Sequence, residues 1–278
     1  MVTKSVTDTQ LKNNENHWLA LMIGNSRLHW GLFAGQNLLL TTDTEHLPES
    51  TVQQLAQCQT LNKLLQQIFP NIGNLPPKST QNSTIILASV VPSQTALWQK
   101  HFQLKLITLD QIPLKGIYPT LGSDRALALW GAGKTWGFPI LVIDAGTALT
   151  FTGADVNQTL IGGAILPGFN LQLSSLGQKT GQLPLLETSQ IIDLPPRFAL
   201  NTQAAIYSGV IYILLSGIKD FIENWLNFHP ESKIVLTGGD RTLLTNLMPI
   251  QFPEIAAKLI VEKNLIFWGM SQIVKSAE

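Results

Sequence analysis

Two glycine turns of similar pattern carry the most specific chemistry in this sequence. The first turn, at Gly24, Asn25 and Ser26, lies in LALMIGNSRLHWG, and the second, at Gly146 and Thr147, lies in LVIDAGTALTFTG. Each turn follows an apolar run, and a further glycine comes at the same interval after it. Glycine lets a backbone approach a phosphate closely with its N–H groups exposed, and Asn, Ser and Thr side chains add donors. The pair therefore predicts a phosphate-binding device.

The two copies differ at a position that could bind a cation. The second has Asp144 shortly before its glycine, whereas the first has Met22 at the equivalent place. A carboxylate there could hold the cation that a polyphosphate requires, and a thioether could not. The alternative interpretation is two ordinary tight turns, because glycine followed by Asn or Thr is common in hairpins. The occurrence of two matched copies argues against this alternative.

Asp124 and Arg125 form a charged pair in the glycine-flanked segment LGSDRALALWGAG. In one interpretation Asp124 is a first-turn acid, stabilised by the dipole of the helix that begins there. In the other, Asp124 is a general base for a substrate hydroxyl, and Arg125 binds an anionic part of the substrate. The spacing by itself does not decide between them.

Two further glycine segments border these residues. VLTGGD is a strand that ends in paired glycines before a helix N-terminus, a place that suits nucleotide binding. Alone it is an ordinary strand-to-helix connection, but with the two turns it predicts a third wall of a nucleotide cleft. GGAILPG indicates a strand that enters a turn, with glycines for close packing and a proline for a rigid bend.

Alternating strands and helices must position these groups. We predict a helix over 50–69, a strand covered on both faces in TIILASVVP, a helix in RALALWGAGKTWG and a long helix that starts near Asn201 or Thr202. The order strand, hairpin, strand, helix occurs twice, which is typical of a duplicated α/β unit. We predict a loose polar tail at 1–16 and two domains, 17–113 and 114–278, because prolines and glycines cluster between Leu109 and Arg125.

Composition excludes several classes of protein. Lys plus Arg and Asp plus Glu both number 18, so no charge excess favours nucleic acid or an anionic membrane. The single cysteine, Cys58, excludes an internal disulfide and fits a reducing, cytoplasmic compartment. The apolar segment 204–218 is shorter than the roughly 20 residues of a membrane span, so we expect a buried helix. The histidines are scattered without zinc-ligand spacing.

The ordered motifs resemble one family. They are GNSRLHWG, LGSDRALALWGA, IDAGTALTFT, GGAILPG, TGQLP, NTQAAIYSG and TGGD, and they resemble the type III pantothenate kinases of the acetate and sugar kinase/Hsp70/actin superfamily. The resemblance implies an α/β fold of two actin-like ATPase (ribonuclease H-like) domains with a nucleotide cleft between them. It also implies ATP-dependent phosphorylation of pantothenate to 4′-phosphopantothenate, the first step of coenzyme A biosynthesis. The implied cofactors are ATP with Mg²⁺ and a monovalent cation, K⁺ or NH₄⁺, and the implied assembly is a homodimer.

The resemblance assigns a role to particular residues. Asp124 would accept the proton of the pantothenate hydroxyl, and Asp144 would bind the monovalent cation. The substrate would also contact Tyr118, Gly122, Ser123, Arg125 and Thr202. ATP would contact Met22, Ile23, Gly24, Asn25, Ser26, Arg27, Leu28, His29 and Thr147.

The sequence departs from the family pattern D-x-G-N-T in the first turn, and two alternative functions stay open. Met22 stands at the aspartate and Ser26 at the threonine, while Tyr118 lies closer to Gly122 than the usual tyrosine does. One alternative is a catalytically degenerate nucleotide-binding regulatory protein of the same fold. The other is a kinase of another small hydroxylated substrate. A turnover assay with pantothenate distinguishes the regulatory protein from a pantothenate kinase. A panel of sugars and hydroxy acids distinguishes a kinase of another substrate from a pantothenate kinase.

Overall fold

The structure is a computed structural model that describes residues 17–58, 60–69 and 84–276. The predicted tail at 1–16 lies outside the described residues. By their contacts the described residues form two units, each built around a five-stranded mixed sheet.

The first unit carries the first glycine turn between its first two strands. Its sheet has the order β3-β2-β1-β4-β5, in which β1, β2 and β3 are antiparallel and β4 and β5 run parallel to β1. Its elements are β1 (His17–Ile23), β2 (Leu28–Ala34), β3 (Asn37–Thr44), α1 (Glu49–Ala56), α2 (Leu61–Ile68), β4 (Ile85–Ser89), α3 (Pro92–His101) and β5 (Leu104–Leu106).

The second unit repeats this topology and carries the second glycine turn. Its sheet has the order β10-β9-β6-β7-β8, again three antiparallel strands, β6, β7 and β8, extended by two parallel ones. Its strands are β6 (Ile140–Ala145), β7 (Ala148–Ala154), β8 (Leu160–Pro167), β9 (Lys233–Thr237) and β10 (Leu259–Val261). Its helices are α5 (Phe169–Lys179), α6 (Thr202–Phe228), α7 (Arg241–Gln251) and α8 (Pro253–Ala256). The predicted duplication of an α/β unit is therefore visible in the strand order.

Two helices contribute residues to both units. They are α4 (Ser123–Trp136) and α9 (Leu265–Ser276). Residues 118–128 and 266–276 group with the first unit, whereas the sequence analysis placed them in the second domain. The reason is that these residues contact parts of the first unit that are distant in sequence. Ser123 Oγ, for example, donates to the Ser89 carbonyl at 2.9 Å. In addition, a Cβ added to Gly31 would lie 3.0 Å from Phe267.

Apolar packing explains why the strands form where they do. All seven residues of β1 are buried, and alternate members, Leu19, Leu21 and Ile23, pack with residues of α1, α2 and α3. Burying one such side chain stabilises the fold by roughly 1.5–3 kcal/mol, so the strand that leads into the first turn is firmly held. The strand β4 is likewise buried at four of its five positions, as predicted for TIILASVVP.

The predicted helix over 50–69 is wrong in one respect, because two helices occupy that segment. Helix α1 ends at Ala56, and a new helix begins after Thr60, whose side chain accepts the Lys63 backbone N–H at 3.3 Å. A side-chain acceptor at this position satisfies one of the otherwise unpaired N–H groups of a helix start. The local cap therefore overrides the continuous apolar periodicity.

Helix α6 runs through the core of the second unit. Asn201 caps it by accepting the Ala204 N–H at 2.8 Å, which confirms the predicted start. Among the described residues it is the one helix long and apolar enough to cross a membrane, so the length argument applied to 204–218 does not hold for the whole helix. Half of its most apolar window is buried, and Ile211, Leu215 and Ile222 are fully enclosed. This burial is what a core helix requires.

Candidate functional site

The first glycine turn is a tight connection whose tip is exposed. The Gly24 N–H donates to the Arg27 carbonyl at 2.9 Å, which closes the turn between β1 and β2. Nε2 of His46 donates to the Gly24 carbonyl at 2.8 Å, and this contact sets the orientation of the Gly24–Asn25 peptide. The N–H of a trans peptide points away from its C=O, so the Asn25 N–H is directed to the side opposite His46. Asn25 and Ser26 are exposed, as a phosphate-binding turn needs.

Three of the predicted ATP-contacting residues have buried side chains. Met22 is 1% exposed, and Ile23 and Leu28 are fully enclosed in the first unit. Their side chains therefore anchor the turn, and only their backbone groups could meet a nucleotide. The polar members of the set, from Asn25 to Arg27 together with His29, are at least partly accessible.

Asp124 lies in the first turn of α4, and its carboxyl group is partly buried. The Arg125 backbone N–H donates to its Oδ1 at 2.7 Å. Burial raises the pKa of Asp124 above its ordinary 3.8, and the Arg125 N–H with the charges of Arg125 and His29 offset only part of that rise. A carboxyl with a raised pKa is a stronger proton acceptor once ionised. This electrostatic environment favours the general-base interpretation of Asp124.

The two residues before Asp124 determine where its carboxylate lies. Ser123 is buried, and its hydroxyl donates to the carbonyl of Ser89 at the end of β4. Val91, two residues further along the chain, also contacts Ser89, because its N–H donates to the Ser89 hydroxyl at 3.1 Å. A Cβ on Gly122 would overlap the Asp124 carboxylate, so only glycine leaves that carboxylate room. The G-S-D sequence is thus explained by local packing.

Arg125 and Tyr118 form the polar edge of this cluster. Nη1 of Arg125 donates to the Tyr118 hydroxyl at 3.2 Å. Arg125 is 8% exposed and Tyr118 is 40% exposed, so the tyrosine is the accessible partner. The structure therefore brings together Tyr118, Gly122, Ser123, Asp124 and Arg125, all within the first unit.

Three loops meet around Asp144 in the second unit. The backbone carbonyl of Thr147 accepts the Gly168 N–H at 2.9 Å, which joins the second turn to the end of β8. Ala145 accepts the Asp240 N–H at 2.8 Å, which joins the same turn to the start of α7. A Cβ on Gly168 would overlap the backbone of the turn, so the close-packing interpretation of GGAILPG holds at this residue.

Gly238 makes room for the Asp144 carboxylate. Its φ is +93°, a left-handed value that favours glycine, and an added Cβ would overlap the Ala145 backbone and lie 2.5 Å from Asp144 Oδ1. Burial also raises the pKa of Asp240, the next acid along the chain after this turn. The second unit thus presents a carboxylate in a cradle that any side chain at position 238 would fill.

Thr202 is the first residue of α6 and is exposed. Within the described ranges no group of three or more His, Cys, Asp or Glu side chains could hold a metal ion.

Sequence reasoning missed three residues, two beside the first turn and one that holds the Asp124 segment. His46 contacts Gly24, Asp43 accepts from His29 at 2.8 Å, and Ser89 accepts from Ser123. None lies in a motif, and each reaches the site through strand pairing or through a loop that returns to it. Side chains of β3 alternate between the two faces of the sheet. This alternation could have predicted that Asp43 lies beside His29 only if the pairing register of β2 and β3 had been known.

The fold defines the class of protein. The structure is similar to an ROK hexokinase from Thermus thermophilus, with a TM-score of 0.53, 10% identity and coverage of 94% of this chain and 100% of that one. It is similar to MreB5 of Spiroplasma citri bound to ADP, with a TM-score of 0.51, 11% identity and coverage of 94% and 97%. At such identities the similarity shows the fold alone, which is the actin-like ATPase fold predicted from the sequence.

The sequence comparisons define the family. The family model described as type III pantothenate kinase matches residues 18–224. A type III pantothenate kinase of Nostoc sp. is 57% identical over 272 residues, covering 97% of this chain and 98% of the relative. One from Synechocystis sp. is 42% identical over 261 residues, covering 94% and 91%. The chain belongs to the type III pantothenate kinase family.

Proposed function

We propose that this protein transfers the γ-phosphoryl group of ATP to the hydroxyl of pantothenate, which yields 4′-phosphopantothenate in coenzyme A biosynthesis. The observation that carries the proposal is the partly buried Asp124 carboxyl with its raised pKa, placed beside Arg125 and Tyr118 in a chain of this family. A non-catalytic regulator has no need of a desolvated carboxylate, which costs folding free energy. The regulatory alternative is therefore not favoured.

The proposed chemistry divides among the residues of the first unit. Asp124 accepts the hydroxyl proton, and Arg125 with Tyr118 holds the polar end of pantothenate. The first turn binds ATP phosphates through its N–H groups and through Asn25 and Ser26. Phosphoryl transfer needs mostly positioning and charge stabilisation, and Mg²⁺ bound to the phosphates would neutralise part of their charge.

The second unit would supply the remaining contacts. Thr147 is proposed to contact ATP, and Thr202 to reach pantothenate. Asp144 is proposed to bind K⁺ or NH₄⁺, and the room that Gly238 leaves beside the Asp144 carboxylate and the Ala145 carbonyl supports this assignment.

We further propose a homodimer that acts in the cytoplasm on these small molecules, without nucleic acid or membrane partners. The exposed apolar residues Ile161 and Ile165 on β8, a strand at the edge of its sheet, support self-association. Light scattering of the purified chain measures the assembly directly.

Turnover tests the central proposal. An assay that couples ADP release to a spectroscopic signal, with pantothenate, Mg²⁺ and K⁺ present, is expected to show pantothenate-dependent ADP formation. A parallel panel of sugars and hydroxy acids should react more slowly by kcat/KM. Absence of turnover at saturating ATP would contradict the proposal, and faster reaction with another hydroxyl compound would identify a different substrate.

Replacing Asp144 by asparagine tests the cation assignment. The amide keeps the size of the side chain but removes the charge that attracts K⁺. We expect the activation of kcat/KM by K⁺ to be lost or to need a K⁺ concentration about tenfold higher, which corresponds to about 1.4 kcal/mol of binding free energy. The measurement is a K⁺ titration at fixed ionic strength. An unchanged titration curve would rule out Asp144 as the cation ligand.

The pH dependence tests the role of the Asp124 carboxyl independently. Because only its ionised form accepts a proton, kcat/KM should rise with pH through the pKa of this group. Burial raises that pKa, so the acid limb of the profile is expected above the ordinary aspartate value of 3.8. The measurement is kcat/KM for pantothenate across pH at saturating ATP. An acid limb at or below the ordinary aspartate value would disagree with a base whose pKa is raised.

A further inference from the structure

Asp43 and His29 form an oriented pair beside the first glycine turn. Oδ1 of Asp43 accepts a hydrogen bond from Nδ1 of His29 at 2.8 Å. An ionised carboxylate can only accept, so Nδ1 carries the hydrogen and Nε2 is the ring nitrogen left for another contact. The carboxylate thereby determines which nitrogen the ring offers.

Strand pairing places this pair in a row with position 22. His29 on β2 lies directly opposite Asp43 on β3 and directly opposite Met22 on β1. Residues directly opposite each other in antiparallel strands project from the same face of the sheet. Met22 is buried and apolar, whereas the equivalent residue of the second turn is Asp144. His29 is therefore the polar group of this row next to the turn.

The free edge of the His29 ring faces the turn. Nε2 would lie 3.4 Å from a Cβ built on Gly24, so the ring lies against the residue at which the turn begins. His46 contacts the carbonyl of the same glycine. Two charged groups near His29 are Asp43 on β3 and the Asp124 carboxyl at the start of α4, where the His29 charge offsets part of the rise in pKa.

We propose that Asp43 is a positioning residue for nucleotide binding, which holds the His29 ring so that Nε2 meets a phosphate oxygen of ATP at the Gly24 turn. In its protonated form the ring donates Nε2–H to that oxygen, and hydrogen bonds between charged partners are the stronger kind. The proposal rests on the proposed function, because it takes the first turn as a phosphate site.

An ordinary surface ion pair is the competing explanation, and the same unit contains one for comparison. The side chains of His29 and Asp43 are 37% and 50% exposed, and such pairs generally add little to stability. Glu49 likewise pairs with His101, at 3.2 Å, and also with Lys100, at 2.6 Å, and its side chain is 53% exposed. Glu49→Ala is thus a matched control that breaks a carboxylate–histidine pair belonging to no part of the site.

Steady-state kinetics of three variants separates the two explanations. Asp43→Ala is expected to raise KM for ATP about three- to tenfold, the effect of losing one hydrogen bond, with kcat and KM for pantothenate unchanged. Asp43→Asn keeps an acceptor for Nδ1 and should stay within about twofold of the parent chain. Glu49→Ala should leave KM for ATP unaltered. The proposal is overturned if Asp43→Ala binds ATP like the parent or if Glu49→Ala raises KM equally.

A spectroscopic readout tests the proposal without turnover. In long-range ¹H–¹⁵N spectra of the imidazoles, with His29 assigned through His29→Gln, the Nε2 resonance of His29 should move on addition of ATP. It should not move with adenosine, which lacks phosphate, and the ATP response should weaken in Asp43→Ala. A response to ATP in a chain that fails to phosphorylate pantothenate would sustain this inference and refute only the proposed function. Normal turnover with no movement of this resonance would overturn the inference alone.

Discussion

Replacement of Asp124 by asparagine is expected to lower kcat about 10²- to 10⁴-fold, the range that a positioned general base contributes. KM for ATP should stay unchanged, because the first turn and its backbone donors are untouched. The amide can still accept the Arg125 N–H but cannot take up the hydroxyl proton. The measurement is kcat and both KM values from the coupled ADP-release assay.

The stability of this variant provides the control against unfolding. Burial raises the pKa of Asp124 in the folded protein, so folding favours the protonated carboxyl. The stability contribution of this group is therefore lost as pH rises from the unfolded pKa through the folded one. At neutral pH the asparagine variant should melt at the same or a higher temperature than the parent. Asp110→Asn, at an exposed acid of the same unit, should leave kcat unchanged. Turnover by the Asp124 variant at the parent rate would show that the base assignment is wrong.

Exchange of Gly238 for alanine is expected to have the largest effect on stability. The residue has φ of +93°, and an added Cβ would overlap the backbone of Ala145 and crowd Asp144. Strain of the backbone and overpacking each cost on the order of 1–3 kcal/mol, so we expect a loss of about 2–6 kcal/mol of unfolding free energy. Chemical denaturation monitored by circular dichroism measures this loss.

The neighbouring glycine is a matched control for that experiment. A Cβ on Gly239 would meet no heavy atom within 4 Å, and its φ does not lie in the left-handed range. Gly239→Ala should therefore change the unfolding free energy by less than about 1 kcal/mol. Similar losses of unfolding free energy in the two variants would show that the two glycines are equivalent. The explanation that Gly238 is needed specifically to leave room for Asp144 would then be wrong.

Some features of the site could be predicted because they depend on neighbours in the chain. The two turns follow from glycines after apolar runs, and the start of α4 at Ser123 follows from the residues around Asp124. The start of α6 follows from the capping side chain of Asn201. Such local rules failed between Ala56 and Leu61, where apolar periodicity predicted one helix and the Thr60 cap began a second.

Other features depend on which strands pair and in which register. The pair of Asp43 and His29 forms only because β3 lies beside β2 with these residues opposite each other. The assignment of residues 118–128 to the first unit depends on the contact of Ser123 with Ser89, far away in sequence. A sequence pattern records neither relation, since a shift of one residue in register would turn each side chain to the other face.

The sequence by itself determined the class of fold, the two glycine turns, the candidate base and the family, because each depends on residue types at short, ordered spacings. Only the tertiary structure decided that Asp124 is desolvated, that Gly238 leaves room for Asp144 and that His29 is held by Asp43. Burial, close approach and side-chain orientation arise from contacts between elements distant in the chain. These contacts raise the pKa of Asp124, leave Nε2 as the available nitrogen of His29 and place Gly238 against Asp144.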